Sequence, residues 1–178
     1  MNLKLVKASK EYEALILDML SEWRAFNNAH PEADHSPWAI FYQAKDFSDY
    51  MHVLNDIGEH YHEYDSSKVP ASTYFALDIE RNIMVGACNI RHYLNEDLRN
   101  GGGHIGDGVR PSERGKGYGK EIIRLALNEC KKLGIKEVLI SCHTDNTASR
   151  KTILANGGVY EKTVPDHDKQ LELYWIKL

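Results

Sequence analysis

Apolar and polar positions along the chain change period several times, and each change predicts an element. "LKLVKA", residues 3–8, alternates as a short strand. Ser9 stands where it would cap a helix whose apolar positions Leu15, Ile16, Met19, Leu20, Trp23 and Phe26 recur at helical spacing. From Asn27 to Ala44 two prolines and the lack of a period predict a loop or lid, with Trp38, Phe41 and Tyr42 as apolar contacts. Phe47, Met51, Leu54, Ile57 and Tyr61 predict a second helix. "STYFALDI" and "IMVGACNIRHYL", joined by "ERN", read as a hairpin, and "GHIGDGV" as a fourth strand. Ile123, Leu127 and Cys130, with Ala126 and Leu133, mark the buried stripe of the next helix, which Gly134 ends. "KEVLISCH" is a fifth strand, "NTASRKTILAN" a helix closed by Gly157 and Gly158, and "GVYEKTV" and "LELYWIKL" a final pair of strands. The order β-α-α-β-β-β-α-β-α-β-β predicts an α/β fold, a mixed sheet with helices on its faces.

Between the fourth strand and the following helix lies "VRPSERGKGYG". Each glycine at a helix start costs roughly 1 kcal/mol against alanine, so Gly115, Gly117 and Gly119 require a reason. The first N–H groups of a helix lack internal partners and the aligned peptide dipoles place positive charge there. Glycines let a phosphate approach those groups, and Arg114 and Lys116 add charge, so the stretch reads as an anion cradle. It is not a P-loop, because Lys116 is followed by Gly117 rather than Ser or Thr. Gly101, Gly103 and Gly106 match a dinucleotide fingerprint in letters, but they precede a strand where that motif follows one, so they read as a glycine-rich loop.

The 178 residues suit a single domain, 1–178, divided into an acceptor-side part, 1–70, and a core with closing strands, 71–178. A net charge of −4 offers no basic face for nucleic acid. The absence of a long apolar run or signal sequence predicts a cytoplasmic protein with no membrane partner. Three scattered cysteines, Cys88, Cys130 and Cys142, agree with a reducing compartment. A homodimer is the assembly left open.

Arg114, Gly117 and Gly119 at R-x-x-G-x-G spacing, "VRP" just upstream, and Asn146 with Ser149 after the fifth strand resemble the GNAT family of N-acetyltransferases, as does the order of elements along the whole chain. "IRHYLN", "GGHIG", "RPSERGKGYG" and "NGG" resemble a bacterial subgroup of acetyltransferases with unassigned substrate. The resemblance implies a sheet splayed between strands four and five. It also implies acetyl transfer from acetyl-CoA to a primary amine by direct attack in a ternary complex. The cofactor-binding set it implies is Gly108, Val109, Arg114, Gly115, Lys116, Gly117, Tyr118, Gly119, Asn146 and Ser149, with the pyrophosphate on the glycine loop and the pantetheine arm along the fourth strand. Helix capping is the alternative role for Asn146 and Ser149. Many relatives carry a tyrosine seven residues after the Asn146 position to protonate the departing thiolate; Ile153 stands there, so water, another side chain such as Tyr118, Cys142 or Tyr160, or unassisted departure of the thiolate replaces it, and a non-catalytic acetyl-CoA sensor is the alternative function.

His104 is the candidate general base, its unperturbed pKa near 6.5 suiting proton transfer at neutral pH, and Asp107 its competitor. Strand alternation would send the two to opposite faces. Arg91, His92 and Asn95 at the end of the third strand, and Trp38 and Tyr42 in the loop, are candidates for the acceptor site, with turn structure and core packing as the alternative readings. None of the nine histidines stands at metal-binding spacing, so no metal is expected.

Overall fold

The computed structural model describes residues 1–178, the side chains of Ile57 and Tyr64 apart. The helices and strands are β1 Leu3–Val6, α1 Glu13–Ala29, α2 Phe47–His52, α3 Tyr61–Tyr64, β2 Ala71–Asp78, β3 Ile83–Arg91, β4 Ile105–Val109, α4 Tyr118–Lys132, β5 Glu137–His143, α5 Thr147–Ala155, β6 Val159–Asp166 and β7 Lys169–Lys177. This is the expected order with one short helix added. The strands form two antiparallel sheets, β1-β2-β3-β4 and β5-β7-β6. They meet where the His104 backbone N–H donates to the Leu139 carbonyl at 2.7 Å; past this point β4 and β5 do not pair, which is the expected splay.

Two apolar layers clamp the four-stranded sheet. On one face Ile16, Met19, Leu20 and Trp23 of α1 pack with Phe47, Tyr50, Phe75 and Ala87. On the other, Ile122, Ile123, Ala126 and Cys130 of α4 pack with Val85, Cys88, Ile90 and Ile153, and the same layer runs on beneath Val138, Ile140 and Tyr174 of the second sheet. Coverage on both faces explains why β2 and β3 are almost wholly buried instead of alternating.

Three expectations change locally. Ser9 does not cap α1: its side chain makes no cap bond, and a tight turn at Lys10–Tyr12 delays the helix to Glu13. The second helix breaks after His52 into a wide turn at Val53–Ile57, a tight turn at Gly58–His60 and the single turn α3. Gly58 weakens the helix there, and its α-carbon lies so close to the Ala71 carbonyl that a β-carbon would come within 3.2 Å. The predicted contact Ile57 lies, in its side chain, outside the described residues. Leu133 is not part of the α4 stripe; it is 42% exposed at the helix end, and the buried set begins instead at Tyr118.

Candidate functional site

The first structural feature of the site is the loop between β4 and α4. Strand pairing runs through Arg110, whose N–H donates to the Val85 carbonyl at 2.8 Å, and stops at Pro111, which has no N–H to give. After the turn Pro111–Glu113, Gly115 and Gly117 adopt φ of 77° and 88°. Both values lie in the left-handed region that costs other residues about 1–2 kcal/mol. Gly117 is the N-cap of α4 and supplies no capping side chain. The first-turn N–H groups, from Tyr118 onward, therefore face outward without a side-chain acceptor, at the positive end of a 15-residue helix.

The loop's side chains are placed differently from expectation. The Arg114 guanidinium lies 4.2 Å from the centre of the Phe26 ring, and its Nε donates to the Val109 carbonyl at 3.3 Å. It thus joins the end of α1 to the loop. The Lys116 ammonium donates to Glu113 Oε2 at 3.0 Å. The Tyr118 side chain turns inward and donates to Asp78 Oδ2 at 2.6 Å, leaving only its backbone N–H for an anion. Gly119 faces Val109 and Thr152 across ordinary van der Waals distances, 3.5 and 3.6 Å from a β-carbon built there.

Within the splay, His104 and Asp107 have contrasting environments. His104 precedes β4 and is 6% exposed; its Nδ1 accepts the Leu139 N–H at 3.0 Å, and its carbonyl accepts the Arg91 N–H at 2.8 Å. Burial, aided by Arg91 and Arg99, pushes its pKa down to about 4. A ring so engaged is neutral and a poor proton acceptor at pH 7. Asp107 lies opposite Cys88 on β3. Burial, with Asp34 adding like charge, pushes its carboxyl up to about 7. Burial first, and the carboxylates of Glu172 and Asp107 after it, push the Cys142 thiol of β5 up to about 11. Asp107 is thus near Cys142 across the splay, with a pKa matched to proton transfer at neutral pH. Gly108 faces the other side, where the loop after α1 comes so close that a β-carbon would sit 2.5 Å from the Ser36 carbonyl and 2.7 Å from Trp23.

On the far lip of the splay, Asn146 caps α5: its Oδ1 accepts the Ser149 N–H at 3.0 Å. That leaves the Asn146 amide NH2 for another partner, while the Ser149 hydroxyl already reaches the Cys142 thiol. Ile153 is fully buried in the core, 2.5 Å from a β-carbon built on Gly158. Neither tyrosine considered as its replacement is suitably placed, since Tyr118 is committed to Asp78 and Tyr160 is 53% exposed on β6.

The proposed acceptor residues separate into two groups. Arg91 donates to the carbonyls of Gly102 and Gly103 at 2.8 and 3.3 Å, and His92 Nε2 lies 2.9 Å from the Ser72 hydroxyl. Asn95 accepts the Leu98 N–H and donates to the Ser67 carbonyl, so all three side chains are engaged within the fold, Arg91 with its neighbouring loop, His92 with β2 and Asn95 with the segment before β2. Trp38 and Tyr42, by contrast, are 67% and 44% exposed and are not core. Among the described residues no cluster of three or more metal-binding side chains forms, and no helix is long and apolar enough to cross a membrane.

An ionic network centred on the buried carboxylate of Glu113 lies behind the cradle, and no expectation included it. Glu113, 5% exposed, takes both Arg81 guanidinium nitrogens at 2.6 and 3.0 Å, and these pairs hold its carboxyl down at about 2. Its sequence signal was one acidic residue within the basic run "RPSERGK". On the other side of Pro111, Arg110 pairs with Asp18 and Glu22 of α1 at 2.8 and 2.5 Å.

The family model for the acetyltransferase (GNAT) domain matches residues 3–159. No curated protein matches the chain. Among solved structures, a ribosomal L7/L12 alpha-N-protein acetyltransferase in complex with coenzyme A superposes with TM-score 0.68 at 18% identity, covering 100% of this chain and 95% of that one. The ribosomal-protein-S5-alanine acetyltransferase of Vibrio fischeri gives 0.67 at 15% identity, with 98% and 91% covered. A spermidine N-acetyltransferase chimera from Vibrio cholerae and hSSAT gives 0.61 at 14%, with 99% and 96% covered. At such identities the likeness is one of fold.

Proposed function

The chain belongs to the GNAT acetyltransferase family, and we propose that it moves the acetyl group of acetyl-CoA to a primary amine by direct attack in a ternary complex. One observation carries this reading: an uncapped helix N-terminus with two left-handed glycines opens beside a splay that contains a carboxyl of pKa about 7. The cradle is suited to a pyrophosphate, because the first-turn N–H groups of α4 are donors without side-chain acceptors. The β4 edge at Gly108 and Val109 has no strand partner on the β5 side and offers backbone groups to an amide-bearing arm. The Asn146 amide would meet that arm from the far lip.

Acetyl-CoA supplies a thioester carbonyl open to attack. An alkylammonium acceptor first gives its proton to Asp107, and the freed amine then forms the N–C bond as the C–S bond breaks. The nitrogen, then still carrying one proton too many, releases it to solvent to leave the neutral amide. A backbone N–H near Val109 stabilises the developing oxyanion. A thiol of pKa about 8.5 is a tolerable leaving group near neutral pH, so the thiolate takes its proton from solvent. His104 takes no part in this scheme. Trp38 and Tyr42 are free to contact the acceptor, and the net charge of −4 favours a small or cationic one. Two of the neighbours are named for ribosomal-protein substrates and a third for spermidine, which brings protein α-amines and polyamines into the first panel.

The test is release of free CoA from acetyl-CoA over a panel of amino acids, polyamines, aminoglycosides and peptides, alongside calorimetric binding of acetyl-CoA. Turnover with one amine class establishes the reading. Tight binding without release from any amine favours the sensor instead, a reading supported by the buried Ile153 where relatives have a proton donor.

A further inference from the structure

We propose that Arg81 and Glu113 are positioning residues of the acetyl-CoA cradle, fixing its two ends and aiming Lys116 at the pyrophosphate. The proposal rests on the acetyl-CoA reading above. Glu113 lies at the start of the loop and Lys116 and Tyr118 at its end, so the intervening glycines alone would leave the gap between them adjustable. Arg81 closes that gap from a third element, the turn between β2 and β3. It reaches Glu113 through both terminal nitrogens, at 2.6 and 3.0 Å, and the Tyr118 hydroxyl at 3.0 Å. The turn is itself tied down, since Asp78 accepts the Arg81 N–H at 3.2 Å and the Tyr118 hydroxyl at 2.6 Å. A bidentate guanidinium–carboxylate pair sets direction as well as distance. The Glu113 side chain is 6% exposed, whereas those of Lys116 and Arg81 are 51% and 46% exposed. The buried carboxylate therefore holds two cations whose outer sides reach solvent. An ammonium has three donors; Glu113 engages Lys116 through one bond, at 3.0 Å, leaving the others for an arriving anion.

The experiment compares acetyl-CoA with acetyl-pantetheine, which carries the thioester but no pyrophosphate, in wild type, Glu113→Gln and Arg81→Gln. The expected result is a rise of about tenfold in Kd and KM for acetyl-CoA, the scale of losing one charged hydrogen bond. At saturation kcat stays within about twofold, and KM for acetyl-pantetheine does not move. Arg81→Lys, which keeps the charge but not the fork, should fall between wild type and Arg81→Gln, and it carries the same comparison if Glu113→Gln does not fold. Equal KM rises for both thioesters would mean the network supports only the fold and would overturn the proposal, as would unchanged acetyl-CoA affinity. Wild-type protein that turns over acetyl-pantetheine but binds no CoA would overturn the cradle; one that binds and uses neither thioester removes the enzymatic reading as well.

Discussion

The imidazole of His104 accepts the backbone N–H of Leu139 at 3.0 Å, while the two residues' backbones share a second bond at 2.7 Å. This pair fastens the two sheets together at the root of the splay. A side chain stands in for the strand bond that β4 would otherwise make, and beyond it the strands separate. The histidine best matched by unperturbed pKa to proton transfer thus serves the architecture of the cleft.

His104→Ala should therefore cost stability more than chemistry. Losing a buried acceptor leaves the Leu139 N–H unsatisfied, a penalty of about 1–3 kcal/mol. The pH dependence has a definite sign. With the folded pKa pushed down to about 4 from an ordinary 6.5, the unfolded chain takes the proton first, so the stabilisation is complete above 6.5 and lost as pH falls toward 4. Thermal melts between pH 8 and 4.5 should show this decline in wild type and a shallower one in the variant. A large fall in kcat with unchanged melting would return His104 to the reaction.

Asp107→Asn is expected to lower kcat by about a hundredfold, a typical contribution for a positioned base. The acidic limb of kcat/KM, with its midpoint near the pKa of about 7, should vanish. Stability should move the opposite way. A carboxyl raised from 3.8 to about 7 binds its proton more tightly in the folded state, so wild type loses stability relative to the variant as pH climbs from about 4 to 7, and the difference then levels off. Near-normal turnover with the limb intact would rule Asp107 out.

Gly119→Ala separates the cradle from the fold. The new methyl meets Val109 and Thr152 at ordinary distances, and alanine favours a helix over glycine by up to about 1 kcal/mol. Melting temperature should hold or rise, and acetyl-CoA affinity, measured by calorimetry, should stay within about threefold, because the methyl points at Val109 and Thr152 and leaves the first-turn N–H groups open. A tenfold loss of affinity would show that the ligand needs the space beside Val109.

Restoring the relatives' tyrosine at position 153 should not restore a proton donor. Ile153 is fully buried against Gly158, and overfilling a packed core costs about 1–3 kcal/mol. Ile153→Tyr is expected to melt several degrees lower with kcat no higher than wild type. A higher kcat would show that the ring finds its way into the splay.

The elements and the cradle were legible in the sequence because both are local. The α4 stripe follows from the 3.6-residue period, the β2–β3 hairpin from two apolar runs around "ERN", and the glycines at 115 and 117 from the backbone angles that the loop demands. Local order also fixed where the binding segment lies, between one strand's end and the next helix's start. What the sequence could not determine was the direction and company of side chains brought together from distant positions. Arg81 and Glu113 are 32 residues apart, and His104 and Leu139 are 35 apart. Burial and partner decide charge, and both belong to the tertiary structure. Arg114 and Lys116, cations of the cradle by composition, are turned to Phe26 and Glu113. His104, a base by its free pKa, is held neutral by a backbone amide, whereas Asp107, an ordinary acid in isolation, acquires a pKa near neutrality because the sheet removes water from it and Asp34 adds like charge. The sequence alone determined which loop would leave a helix's first N–H groups uncapped; only packing decided which side chain could take a proton, because a pKa depends on what surrounds the group in space.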